Sequence, residues 1–190
     1  MCPSVLSLYS LQIDGFQFRD GPFVLKRIVI HSVQAGSPAV YTFETVFPLE
    51  EPYDALQTYR YATRNIHGLP VSLPGLPYDS RYEAVSAYFR YKAFQFLEQS
   101  GSFGADNGPF IMILVKGSQK IPLLRDLIDS TGVLERVEVH NLEDYGCPTA
   151  HALTGCRSST TGRAAMFCAW LRGRYHESIP HSHAANALPS

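Results

Sequence analysis

Apolar and polar positions fall into segments of two different periods. Val5 to Ile13 is rich in strand formers and is followed by Asp14-Gly15 and then Phe16-Gln17-Phe18. Asp20-Gly21 has the composition of a turn, and Phe23 to Val33 alternates around Val24, Ile28 and Ile30, which predicts a second strand. Gly36-Ser37-Pro38 predicts another turn. Val40 to Phe47 predicts a third strand closed by Pro48, so the three make an antiparallel meander. From Glu50 to Ile66 the period becomes helical, with Leu56, Tyr59, Thr63 and Ile66 on one face. His67-Gly68-Leu69-Pro70 stops that helix. After a Pro/Gly-rich loop, Arg81 to Leu97 predicts a second helix with Tyr82, Val85, Phe89 and Phe96 inward. Gly101 to Gly108 predicts a loop. Phe110 to Val115 is wholly apolar, as a strand covered on both faces would be. Ser118 is placed to cap a helix that Pro122 helps start and Gly132 ends. Val137 to Val139 predicts a fifth strand, and Arg163 to Arg174 a last helix. Strands and helices in this order make an α/β domain.

Bulk composition narrows the function classes. The 190 residues suit one ordinary domain, and 45% hydrophobic with 17% charged residues is a folding composition. With no repeat or linker in sight, residues 1–177 are expected to form a single domain. The stretch 178–190, rich in His, Ser, Ala and Pro, is expected to be a disordered tail in which His181 and His183 face solvent. A net charge of −1 leaves only a local patch for gripping a phosphate backbone. No signal peptide is visible, and no apolar run reaches the roughly 20 residues that span a bilayer. The expectation is therefore an intracellular protein, cytoplasmic or nuclear, with no membrane role. In that setting Cys2, Cys147, Cys156 and Cys168 are expected as free thiols or metal ligands.

Three groups of residues carry candidate chemistry. Cys147, His151, Cys156 and Cys168 offer three thiolates and an imidazole, a set tetrahedral zinc accepts, with His176 as a further ligand; the plainer reading is small buried apolar groups. Asp14 with Glu44 offers two carboxylates for a cation, against a simple cap on the Asp14-Gly15 turn. The turn from Lys116 to Lys120 offers backbone N–H groups and two ammonium groups to a phosphate, against an ordinary solvated helix start. His67 and His140 flank loops and are given no catalytic role. The absence of a Gly-rich phosphate loop or a nucleophile elbow argues against kinases, P-loop enzymes and α/β-hydrolases.

The element order, with Gln12-Ile13-Asp14 on the first strand, resembles the RNase H-like fold of DEDD 3′–5′ exonucleases. That resemblance implies an RNase H-like mixed five-stranded sheet with flanking helices. It also exposes what is missing. The family's first motif is Asp-x-Glu, two carboxylates that hold a pair of divalent cations, and here one of them is Gln12. Lys120, four residues before Leu124, stands where the second motif's Asp would be. The third motif falls near Arg163 and Cys168, neither of which can replace its acid. Towards the C-terminus the chain is similar to the Maelstrom domain of the piRNA pathway, an RNase H-like fold without the metal-binding carboxylates. Cys156 and Cys168 match its Cys-x2-His-x8-Cys zinc spacing, Ser159 replaces the histidine, and Asn141-Leu142-Glu143-Asp144 resembles its linker.

The resemblance implies a degenerate exonuclease-like domain, a pseudoenzyme in a small-RNA or transposon-related pathway. It would bind RNA, through Lys116, Lys120 and Arg163, or a protein partner. Structural zinc is the admitted cofactor, and magnesium is not expected. Two alternatives stand beside it: an active nuclease with a rearranged site built on Asp14 and Glu44, and a structural or assembly module with no nucleic-acid role. The sequence leaves the oligomeric state open.

Overall fold

The structure is a computed structural model that describes residues 6–19, 23–34, 36–44, 55–100, 110–129, 137–154 and 159–178. It is an α/β fold with a five-stranded mixed sheet flanked by helices, consistent with an RNase H-like arrangement. The strands are β1 (Leu6–Gln17), β2 (Phe23–Ser32), β3 (Ala39–Thr42), β4 (Phe110–Val115) and β5 (Val137–Asn141), in the spatial order β3-β2-β1-β4-β5. β2 runs antiparallel to both β1 and β3, whereas β1, β4 and β5 are mutually parallel. β1 is therefore central. β4 is paired on both edges, as its unbroken apolar sequence predicts.

The helices are α1 (Ala55–Ala62), α2 (Arg81–Ser100), α3 (Ile121–Asp129), α4 (Ala150–Thr154) and α5 (Thr160–Ser178). Alternation along β1 decides which of them meets which face. Tyr9, Leu11 and Ile13 share a core with Val85 and Phe89 of α2 and with Leu124, Leu127 and Ile128 of α3. Leu8, on the opposite face, shares a core with Phe167, Cys168 and Leu171 of α5. Further along β1, Phe16 packs with Phe18, Val24 and the α1 residues Ala55, Tyr59 and Ala62. The sheet is thus covered on both sides, with α5 lying along the central strand.

Several expectations change in detail. Asp14-Gly15 does not make a turn. It lies inside β1, where the pairing jumps from Asp14↔Arg27 to Gly15↔Leu25 and leaves Lys26 as the extra residue of a β-bulge. Gly15 is required there, because a Cβ would stand 2.1 Å from the Val24 carbonyl oxygen. On α1 the buried stripe is Ala55, Tyr59 and Ala62, while Leu56 and Ile66 are exposed. The small alanines on either side of Tyr59 let the helix approach the sheet, and Leu56 and Tyr61 face out. The chain continues past α1 as a π-helical turn, Thr63–His67, which Gly68 stops at φ 72°. Ser118 makes no cap; it begins a 3₁₀ turn, Ser118–Lys120, that runs into α3. β3 ends earlier than predicted, β5 reaches Asn141, α2 reaches Ser100, α5 starts three residues before Arg163, and the short α4 has no counterpart in the sequence reading. The predicted features at Asp20-Gly21, residues 45–54, 101–108, Gly132 and the tail 179–190 lie outside the described residues. Among those residues, no helix is long and apolar enough to cross a membrane.

Candidate functional site

Alternation places Ser10, Gln12 and Asp14 in a row on the α5 face of β1, all three buried. Asp14 is the last of the row, beyond the point where β4 ends opposite Leu11, and so lies at the carboxyl end of the parallel strands. Open α/β sheets use that end for ligands. Its carboxylate is only 5% exposed, and the burial demands partners. α5 supplies two. Ser159 caps the helix, its Oγ accepting from the Gly162 N–H at 3.1 Å and its carbonyl accepting from the Arg163 N–H at 2.8 Å. That start puts Thr160 and Arg163 one turn apart on the same face. The Thr160 hydroxyl donates to Asp14 Oδ2, and Arg163 Nη2 donates to the same oxygen at 2.5 Å. Arg163 Nη1 also reaches the Ile66 carbonyl at 3.4 Å, which ties α5 to the π-helical turn.

Two further basic groups border this pair. Lys120, from the turn after β4, is held below its ordinary lysine value by burial; the Asp14 carboxylate opposes that shift and the Arg163 guanidinium adds to it. His67 is buried, its Nε2 donating to the Gly15 carbonyl at 3.1 Å while Nδ1 accepts from the Leu69 N–H at 2.9 Å. Those two bonds fix a neutral imidazole. Burial holds its pKa below the usual histidine value, against the pull of Asp14. One carboxylate, one guanidinium and one ammonium therefore share the end of β1.

This donor set does not fit a two-metal centre. Such a centre needs carboxylates that bridge the ions, whereas here Asp14 stands beside the Gln12 amide, and its charge is answered by Arg163 with Lys120 beside them. Glu44 is not brought to it. It follows β3, two strands from β1 at about 4.8 Å per strand. It is exposed, its N–H bonds to the Leu76 carbonyl, and the charge it acts on is Lys26.

The remaining candidates hold other parts of the fold. Lys116 Nζ donates to the Cys147 carbonyl at 2.6 Å and lies 3.4 Å from Glu143 Oε1. Asn141 Oδ1 accepts from the Gly117 and Glu143 N–H groups, both at 3.1 Å, so the Asn141–Asp144 phrase caps a 3₁₀ turn and binds it to the end of β4. Cys147 and Cys168 sit in one apolar cluster. The Cys147 thiol faces the Pro148 carbonyl at 3.6 Å and the Cys168 thiol faces the Ser32 carbonyl at 3.3 Å. Burial pushes the Cys147 thiol up to about 11 and raises Cys168 as well. His151 is exposed on α4, while Cys156 and the side chain of His176 lie outside the described residues. Among the described residues, no three potential ligands gather around a common point.

Sequence reasoning missed Thr160, His67 and the Arg163–Asp14 contact. The Ser159-Thr160-Thr161-Gly162 run carried a helix-start signal that would have put Thr160 and Arg163 on one face. No local signal marks Lys26, whose side chain is fully buried and whose Nζ donates to the carbonyls of Val71 at 2.9 Å and Leu73 at 3.3 Å. No protein-family model matches this sequence, nor does any curated protein.

Proposed function

We propose that this chain is a catalytically silent, exonuclease-like domain that works by binding RNA or a protein partner, in a small-RNA or transposon-related setting. The observation that carries the reading is the capture of Asp14 by Arg163 and Thr160. The single acid left from the resembled motif is neutralised by the protein's own cation, where an active nuclease would spend it on a metal ion. The test is incubation of the pure chain with labelled single-stranded RNA and DNA in Mg²⁺ and in Mn²⁺. The expected outcome is no cleavage. Cleavage that disappears in a folded Asp14→Asn variant would overturn the reading in favour of an active nuclease.

Within this reading a protein partner has the stronger support. Of the three basic residues expected to touch RNA, Lys116 is bonded to Cys147 and Glu143, Arg163 to Asp14 and Ile66, and Lys120 is partly buried beside that pair. A phosphate backbone binds through cations presented to solvent, and these three are turned to internal work. Gel-shift titration with single-stranded RNA across salt concentrations separates the two ligands. A protein-binding domain gives weak, salt-erased shifts that Lys116→Ala and Lys120→Ala leave unchanged.

A further inference from the structure

We infer that the carboxyl end of β1 and β4 holds a binding site for one carboxylate group, with the Lys120 ammonium as its docking donor. The chain has four lysines, Lys26, Lys92, Lys116 and Lys120. Lys26 Nζ donates to the carbonyls of Val71 and Leu73, Lys92 Nζ to Gln95 Oε1 at 3.2 Å, and Lys116 Nζ to the Cys147 carbonyl. Lys120 is the exception. It lies beside Asp14 and Arg163, but among the described residues its ammonium has no hydrogen-bond partner. It is also partly buried, and burial disfavours its charge. An ammonium drawn out of water needs acceptors, and none of the described residues supplies one. The neighbouring row on β1 has a spare donor too. Asp14 Oδ2 already takes both the Thr160 hydroxyl and Arg163, while Gln12 Nε2, next along the row and 1% exposed, is unpartnered.

Charge sets the class of ligand. Asp14 is the one carboxylate that acts on Lys120 and on His67, whereas Arg163 acts on both and Arg27 on His67. Arg163 Nη2 already answers the Asp14 charge at 2.5 Å, and the imidazole is neutral. At least one positive charge is therefore in surplus, and a single negative charge on the ligand balances Lys120. A carboxylate brings that charge on two acceptor oxygens. A phosphate monoester brings close to two charges, and the second stands against Asp14. Position agrees with the chemistry. The turn that carries Lys120 follows β4, and Asp14 lies past the point where β4 ends, at the edge where open α/β sheets take their ligands. The turn is held from both sides. Gly117 takes φ 103° and donates its N–H to Asn141 Oδ1 at 3.1 Å, and the Lys120 N–H closes back on the Gly117 carbonyl at 3.1 Å. A donor on such a support is in place before the ligand arrives.

The proposal rests on the binding-domain reading for its purpose, but the two fail separately. Metal-dependent cleavage sinks that reading, whereas carboxylate binding is measured without nucleic acid. The experiment is a sodium acetate titration of the full chain, labelled with carbon-13 at lysine Cε and followed by NMR at constant ionic strength. Four lysines give few signals, and Lys120→Met identifies one of them by its loss. The expected result is a Lys120 signal that moves and saturates while those of Lys26, Lys92 and Lys116 stay. In acetate at about tenfold its dissociation constant, the midpoint of Lys120 titration should rise by about one pH unit, because the anion binds only the charged form. The same acetate should raise the melting temperature of the wild type and not that of Lys120→Met. Several results overturn the proposal: no saturable shift, all four lysines moving alike as ionic screening would make them, or a titration midpoint that acetate leaves in place. Tighter binding of inorganic phosphate than of acetate overturns the assignment to a carboxylate. A blocked Ala-Asp-Ala peptide and its Ala-Asn-Ala counterpart then name the source. Preference for the Asp peptide over acetate assigns the carboxylate to a partner protein, and the reverse assigns it to a small organic acid.

Discussion

At the scale of single residues, the end of β1 is governed by one buried carboxylate and its cations. Removing one partner of a buried pair leaves the other charged and dry, at a cost of about 3–5 kcal/mol. Arg163→Met should therefore lower the urea-derived unfolding free energy by about 3 kcal/mol, somewhat less than the full range allows because Arg163 keeps 16% of its side chain in solvent. Asp14→Leu/Arg163→Met should recover much of that loss. A double variant as unstable as the single would show that the pair is not what stabilises this corner. His67 supplies a second prediction, one of pH. Its folded pKa lies below the ordinary 6.5, so the unfolded chain binds the proton first as pH falls. Stability contributed by the neutral ring is present above about pH 6.5 and is lost as pH drops through the depressed folded value. Geometry gives the same sign, since protonating Nδ1 would set an N–H against the Leu69 N–H that it now accepts. Melting curves of the wild type should shift down as pH falls from 7 to 5. In His67→Gln, which has no proton to take up in that range, the shift should shrink; an identical shift would rule the ring out as its source.

At the scale of elements, what the sequence made legible follows from the range of the interactions involved. β4 was readable because six consecutive apolar residues satisfy only a strand paired and covered on both sides. The change of period after Pro48 was readable because helix and strand repeats differ so sharply. The buried face of α1 was misread through Leu56 and Ile66, because a period names two stripes and not which of them faces the sheet. Here the close approach of α1 to Phe16 and Phe18 selects the stripe in which two alanines flank Tyr59, and Leu56 and Ile66 are left outside. The bulge at Lys26 was hidden for a related reason. Asp14-Gly15 has turn composition, but the glycine is there for room against Val24 and not for a reversal. The polar site was the least legible part. Asp14 and Arg163 are 149 positions apart, and only the stacking of α5 along β1 makes them partners. The resemblance put Gln12, Lys120 and Arg163 where it implied acids, and it gave no sign that the Arg163 guanidinium pairs with Asp14.

At the scale of the whole molecule, the three apolar clusters are unequal and give the fold a weak side. The two larger ones lie on either side of β1 and β4 and use α2, α3 and α5. The third is small, beneath α1, and its outer loop is held by polar anchors: Lys26 Nζ on the carbonyls of Val71 and Leu73, and His67 on Gly15 and Leu69. The buried ammonium is itself disfavoured, since burial lowers the Lys26 pKa while Glu44 pulls it back. It holds the loop because a fully buried ammonium needs acceptors, and these two carbonyls supply them. Lys26→Met removes that donor, and a hydrogen bond to a charged group is worth about 1.5–3 kcal/mol. Native-state hydrogen exchange should then show α1, the π-helical turn and the loop to Leu73 opening together, well below the global unfolding free energy, with the variant speeding these amides most. Amides of β4, paired on both edges, should exchange last and respond only through the global term. If Lys26→Met instead accelerates β4 and α1 equally under native conditions, the molecule opens as one cooperative unit. The face that carries Leu56, Arg60 and Tyr61 would then be as firmly held as the centre of the sheet.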